Sequence, residues 1–313
     1  VADNVSLHHY KYYYQLQSKR LLLAGHPEVR FGCHYYGEPK TSEGNAKLIE
    51  ELNKIGGEVT DFKWSDEDSY EKALAGVKTV FCTAPYIKDW QEKFPLFLEA
   101  AKKAGVKHFV KLSFYHSRKS GDAFQDVPLV RAHGDLDEML AKSGISYCIL
   151  SATHFMSNPF FFQNHELRKD QKPAIMYGAS GGKGVNYVSP NDIAEFAVRV
   201  ILDPKAHRNK EYTLTGPEPI SDENVSQLIA KHLGKPIMYA DQPLHTFEES
   251  EKFSGDPEWM VLDLAALEKI KASGQEELST FVTKDIEKVC GHKAQTYEDY
   301  LNTTEFMTPM EAA

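Results

Sequence analysis

Thr79-Val80-Phe81-Cys82-Thr83 and, after a helical interval, His108-Phe109-Val110-Lys111-Leu112-Ser113 are the runs that decide the fold. The first is apolar without alternation, the mark of a strand covered on both faces. Between them Gln91–Ala104 has helical periodicity, and Gly105 stops it. Two buried strands joined by a helix form a parallel crossover, which is right-handed in nearly all proteins.

Outward from this pair the same alternation continues. Toward the amino end lie a short strand near Ala2–Leu7, a helix ending at Ala24-Gly25 and a strand over Glu28–Cys33. A helix over Gly44–Ile55 closes at Gly56-Gly57, a strand follows over Glu58–Phe62, and Ser65 is placed to cap a helix over Asp66–Leu74. Toward the carboxyl end come a helix over Leu129–Ser143 and a strand over Ser146–Leu150. The expected architecture is α/β: a Rossmann-type, doubly wound parallel sheet over residues 1–150. Residues 151–301 change character, with helices predicted over Pro190–Leu202 and Asp222–Leu233 and strands over Glu211–Leu214 and Ile237–Ala240. They are expected to form a smaller α/β substrate-side lobe, and 302–313 a mobile tail.

Composition narrows the function classes. The net charge is −9 and no basic run is long, so nucleic acid is not an expected partner. No apolar run reaches the ~18 residues of a membrane span, and no secretory leader pattern is visible. The four cysteines are scattered without a C-x-x-C pair. That spacing fits buried thiols in a reducing, cytoplasmic setting better than disulfides or zinc.

Several runs together resemble the NmrA-like branch of the atypical short-chain dehydrogenases. They are Ala75-Gly76-Val77-Lys78-Thr79-Val80-Phe81, Val106 through Ser113, and His133 through Leu140 with Ser143-Gly144. Phe155-Met156-x-Asn158 and Val188-Ser189-Pro190-Asn191-Asp192-Ile193-Ala194 complete the set, in the family's order. The resemblance implies a Rossmann-type domain with a substrate lobe. It also implies either NADP-dependent reduction of quinones, dyes or phenylpropanoids, or redox sensing by NADP binding without turnover.

Against that pattern the amino end stands out. The family's glycine-rich phosphate loop begins about eighteen residues before the glycine that ends the first helix. Counted back from Gly25, its three glycines fall on Leu7, Tyr10 and Tyr13, beside His8 and His9. Glycine is needed there so the backbone can approach the pyrophosphate, and bulky side chains would fill that space. The slot for a basic residue that holds the 2′-phosphate is at His34, and the acid that faces the adenine maps to Lys63, with Asp61 close by. NADP is therefore the family's cofactor, with its binding motif lost here. The tyrosines either plug the vacated cleft or line it for another ligand. Adjacent His8 and His9 point to opposite sides of an extended segment, so no metal site is expected.

The catalytic candidates are Lys111, Ser113, Tyr115 and His133, the polar residues nearest the carboxyl end of the central strands. Tyr115 with Lys119 matches Y-x-x-x-K, but directly after a strand; the equivalent positions on the following helix are Leu129 and His133. Asp192 reads as a helix cap and dipole partner. Ligand contacts are expected from Thr83, Ala84 and Pro85 and from Phe155, Asn158 and Phe161, with Tyr177 and Tyr187 suiting a flat apolar molecule. Two functions follow. One is a small aromatic ligand or a protein partner bound without redox turnover; the other is an NADPH-dependent oxidoreductase of quinone-like or aromatic substrates.

Overall fold

A computed structural model describes residues 30–33, 49–50, 53–54, 56–83, 90–117, 123–162, 174–254, 257–274 and 281–303. In chain order the first elements are β1 (Arg30–Cys33), β2 (Glu58–Asp61), α1 (Asp68–Leu74), β3 (Thr79–Thr83) and α2 (Trp90–Ala104). Then come β4 (His108–Phe114), α3 (Pro128–Lys142), β5 (Ser146–Ala152), β6 (His154–Phe155) and α4 (Asn158–Phe162). The second half holds β7 (Ala174–Gly178), β8 (Gly184–Val188), α5 (Pro190–Leu202), β9 (Lys210–Leu214) and β10 (Pro219–Ser221). It continues with α6 (Asp222–Leu233), β11 (Ile237–Asp241), α7 (Leu244–Ser254), α8 (Glu258–Ser273), α9 (Asp285–Cys290) and α10 (Tyr297–Thr303).

Strands β3, β4, β5 and β9 form one parallel sheet in that order, and β1 pairs with β2 in parallel. Side chains alternate across each strand, so β4 sends Phe109 to one face and Val110 and Leu112 to the other. On the first face Phe109, Val80 and Ile149 pack with Phe94, Phe97 and Leu98 of α2 and with Leu136 and Leu140 of α3. On the second, Val110, Leu112, Cys148 and Leu150 meet Ile193, Phe196, Ala197 and Val200 of α5. Helices thus cover both faces, as the apolar strands require. Cys82 and Cys148 lie inside this packing, and burial pushes both thiols up to about 12.

Beyond residue 151 the strands are short. β10, β8 and β6 form one small sheet, and β11 pairs in parallel with β7. Met156, Phe160, Met176, Val185 and Tyr187 pack there with Val225 and Ile229 of α6 and with Tyr297 and Tyr300 of α10.

Some local expectations need correction. Ser65 does not cap α1, which begins after Glu67 without a side-chain cap. Ser69 does the polar work instead, donating to the carbonyl of Asp66 at 2.6 Å and accepting from the Lys63 amide at 3.0 Å. Asp192 is not a cap either. Ser189 caps α5 by accepting from the Asn191 amide, while Asp192 Oδ2 accepts from the Gln295 amide at 2.7 Å and ties the carboxyl-terminal segment to the helix. Asn302 and Thr303 complete α10 and do not belong to a tail. The strand expected over Ala2–Leu7 and residues 304–313 lie outside the described residues.

Candidate functional site

Lys111 shares a face of β4 with Phe109 and therefore points into the apolar layer toward α2 and α3. It is 0% exposed, and the residue it meets, Asp137, is also 0% exposed. The ammonium has three protons and finds three acceptors: Asp137 Oδ1 at 2.6 Å, Ser113 Oγ at 3.3 Å and His133 Nδ1 at 3.3 Å. The other oxygen of Asp137 accepts from the hydroxyls of Ser113 and Ser117, the latter at 3.0 Å. His133 and Asp137 can act together because they stand four residues apart on α3, one turn along the same face.

An ammonium can only donate, so His133 Nδ1 must accept and the ring proton sits on Nε2. Burial, reinforced by the positive charge of Lys111, holds the imidazole well below its usual pKa. His133 is therefore a neutral ring with a fixed tautomer, able to offer an N–H to an oxygen or nitrogen acceptor. Its ring lies 4.8 Å from that of Trp90 and 6.5 Å from that of Phe114.

Around the end of β4 the side chains are aromatic. Phe114 stacks on Tyr115 at 5.3 Å and meets His154 edge-on at 5.8 Å, and Tyr115 stacks on Phe281 at 6.4 Å. His116 holds a φ of 60°, a left-handed conformation uncommon outside glycine, in the turn that follows β4. Ile270 of α8 packs with Tyr115, Phe124 and Val130 beneath this turn, joined by Ala266 and Leu267.

A second buried polar set lies beyond His154, whose ring meets Phe114 on one side and Tyr187 on the other. Lys271 of α8 contacts Glu268 Oε1 at 2.6 Å and Asp222 Oδ2 at 3.3 Å, and the Tyr187 hydroxyl donates to Asp222 Oδ1. Glu268 Oε2 accepts from the Ala179 amide at 2.8 Å. Burial alone would raise Asp222, but Lys271 and Tyr187 outweigh it and hold the carboxyl below its usual range. Lys271 is held well above its own, because Asp222 and Glu268 outweigh the cost of its burial. For His154 burial, and then the charge of Lys271, outweigh the pull of Asp222 and push it down to about 3.

The structure thus brings Lys111, Ser113 and His133 into one network, with Tyr115 buried beside it in the aromatic layer. Thr83 is the buried last residue of β3. Phe155 is half-buried in β6, and Asn158 opens α4 with its Oδ1 buried and lacking a hydrogen-bond partner among the described residues. Phe161 belongs to α4, but its side chain is outside what is described. Leu7, His8, His9, Tyr10, Tyr13, His34, Ala84 and Pro85 also lie outside the described residues, as does Lys119. Lys63 is half-buried and locked in a turn by the Ser69 hydroxyl and a bridge to Asp66, while Asp61 is exposed at the end of β2. Sequence reasoning missed Asp137, although an acid one turn after His133 on an apolar helix stripe was a signal. It also missed His154 and the Asp222–Lys271–Glu268 set, whose members are far apart in sequence.

A protein-family model described as the NmrA-like family matches residues 41–307. The NAD(P)H azoreductase of Xenophilus azovorans is 25% identical over 256 residues, covering 82% of this chain and 85% of the relative. Prestalk A differentiation protein A of Dictyostelium discoideum is 27% identical over 247 residues, covering 78% and 76%. Among solved structures, an NADPH-dependent quinone oxidoreductase from Escherichia coli complexed with NADPH superposes with a TM-score of 0.72 at 22% identity, over 93% of this chain and 96% of that one. At that identity the likeness establishes the Rossmann-like fold alone.

Proposed function

Because the chain belongs to the NmrA-like family, we propose that it is a binding member of it. It takes a flat aromatic molecule at the end of β4, or serves a protein partner, without turning over a nicotinamide. One observation carries this: Lys111, Ser113, Ser117 and Asp137 are buried and bonded to one another. Proton transfer to a substrate needs a polar group within reach of it, and these groups face inward. What remains beside the aromatic layer is the N–H of a neutral His133, suited to orienting an acceptor atom on a ligand stacked against Phe114 or His154.

The dinucleotide side supports the same conclusion. Where the family places an acid against the adenine, this chain has Lys63, whose ammonium cannot accept from the adenine amino group. Counted back from Gly25, the glycines of the family's phosphate loop fall on Leu7, Tyr10 and Tyr13, and the slot for the 2′-phosphate cation falls at His34. These residues do not fit NADP as the family holds it.

A working NADPH-dependent reductase of quinone-like or aromatic substrates is the second reading. The azoreductase relative favours it. Titration with NADPH and NADP, followed by melting temperature, separates the two, since a ligand at 100 times its Kd adds about 2.7 kcal/mol to the native state. The expected result is no shift with either nucleotide, and a clear shift at micromolar NADPH overturns the proposal. An absorption spectrum of the protein as isolated would show a retained aromatic ligand directly.

A further inference from the structure

Far along the chain from the β4 site, Glu195 of α5 meets the end of α9 and the residues after it. Cys290 is the last residue of α9, Gly291 turns the chain in a left-handed conformation, and His292 follows. One atom each from Glu195, Cys290 and His292 lies within 4.8 Å of the other two. The thiol is buried, the carboxylate half-buried and the imidazole exposed, so the group opens to solvent on one side only.

From this cluster the geometry points to a divalent transition-metal site, with Cys290 Sγ, His292 Nε2 and Glu195 as ligands and water completing a tetrahedron. The imidazole is oriented for it. His292 Nδ1 lies 2.8 Å from the carbonyl oxygen of Lys293, and a carbonyl can only accept, so Nδ1 carries a proton. In the neutral ring the lone pair is then on Nε2, facing Glu195 Oε2 at 3.4 Å. Two lone pairs facing each other need a cation between them. A proton on the ring can fill that place, since Glu195 favours the protonated imidazole, and so can a metal ion. The spacing is also that of the edge of a tetrahedron with metal–ligand bonds of ~2.0–2.1 Å, which is about 3.4 Å.

The surrounding contacts have the form that supports metal ligands. The far nitrogen of the histidine is held by a backbone carbonyl, and the far oxygen of Glu195 is held by Arg199 Nη2 at 3.2 Å. Thiolate, imidazole and carboxylate together select zinc, cobalt or nickel over magnesium or calcium. Bound there, the ion would clip the end of α9 to α5, and binding would release the thiol proton.

Cobalt(II) added to the chelator-stripped full chain tests the site. The expected result is one equivalent bound with a thiolate-to-cobalt charge-transfer band, displaced by zinc and absent in Cys290→Ser. Affinity should fall at least ~10-fold in Glu195→Gln and His292→Gln. Cobalt held only by histidines elsewhere gives no thiolate band, and that outcome overturns the assignment. So does a band that survives in Cys290→Ser. Should the serine variant fail to fold, His292→Gln alters only an exposed ring, and unchanged affinity there is equally fatal. Zinc should also raise the melting temperature of the parent protein, and by less in His292→Gln.

Discussion

A lysine at the centre of a parallel sheet is costly unless its charge is matched, and among the described residues Lys111 is matched by Asp137. Asp137→Asn keeps the shape and removes the charge. It should destabilise the fold by about 3–5 kcal/mol, because a buried ammonium is then uncompensated. Urea unfolding measures this, and a loss under ~1 kcal/mol would mean the pair is not buried as described. Replacing both partners, as Lys111→Met with Asp137→Leu, should recover most of the loss. His154 gives the protein a pH dependence. Its folded pKa of about 3 lies below the usual 6.5, so between those values the unfolded chain binds a proton that the native one does not. Stability is complete above pH 6.5 and falls by about 1.4 kcal/mol per unit as the pH drops through that window. His154→Gln should flatten the urea midpoint between pH 6.5 and 5, and an unchanged slope would assign the loss to other groups. At this scale the sequence offered Lys111, Ser113 and His133 as candidates but not what holds them. Strand position brings a residue to the sheet edge, whereas partners on α3 become visible only once β4 and α3 are packed together.

Among the elements, legibility followed length and regularity. Helix α6 runs over Asp222–Leu233 as predicted, with Ser221 accepting from the Asn224 amide and Gly234 in the left-handed region. The apolar strands β3, β4 and β5 were equally plain. β7 was not, because Ile175 is exposed between buried Ala174 and Met176, and apolar residues on both faces erase the alternation. β8 was hidden by Asn186, a buried amide in mid-strand. Its Oδ1 accepts from the Gly216 amide at 2.6 Å and its Nδ2 donates to the Gly216 carbonyl at 3.2 Å. This exchange of hydrogen bonds explains the glycine. A Cβ on Gly216 would sit 2.0 Å from the Tyr187 carbonyl oxygen, so the backbones can meet only if no side chain intervenes. Gly216→Ala should therefore part β8 from the segment after β9 and cost several kcal/mol. Thermal denaturation would register it, and a Tm within a degree or two of the parent would refute the close approach.

At the scale of the whole molecule, family membership was legible from scattered short runs because each keeps its place in a fixed order. The expectation of a substituted phosphate loop rests on composition, and its residues lie outside those described. The bridging role of helix α8 was not legible in the sequence. In the folded chain its Asp263 Oδ1 accepts from the Leu129 amide in the first turn of α3, at 2.9 Å. Farther along, Glu268 and Lys271 reach Ala179, which follows β7, and Asp222 of α6. One rigid element therefore holds the β4 sheet at one end and the small sheets at the other. No helix among the described residues is long and apolar enough to cross a membrane.

That double attachment bears on how the molecule comes apart. A chain whose two halves shared only a linker would melt in two steps, each with its own enthalpy. With α8 anchored in both, neither half can unfold without stripping a buried charge from the other. Heating should then produce one calorimetric transition, with matching calorimetric and van't Hoff enthalpies. Lys271→Met, which cuts one anchor and leaves Asp222 and Glu268 facing each other, should divide the peak in two. Cooperativity in this protein would thus reside in one helix placed between two sheets, and not in either sheet.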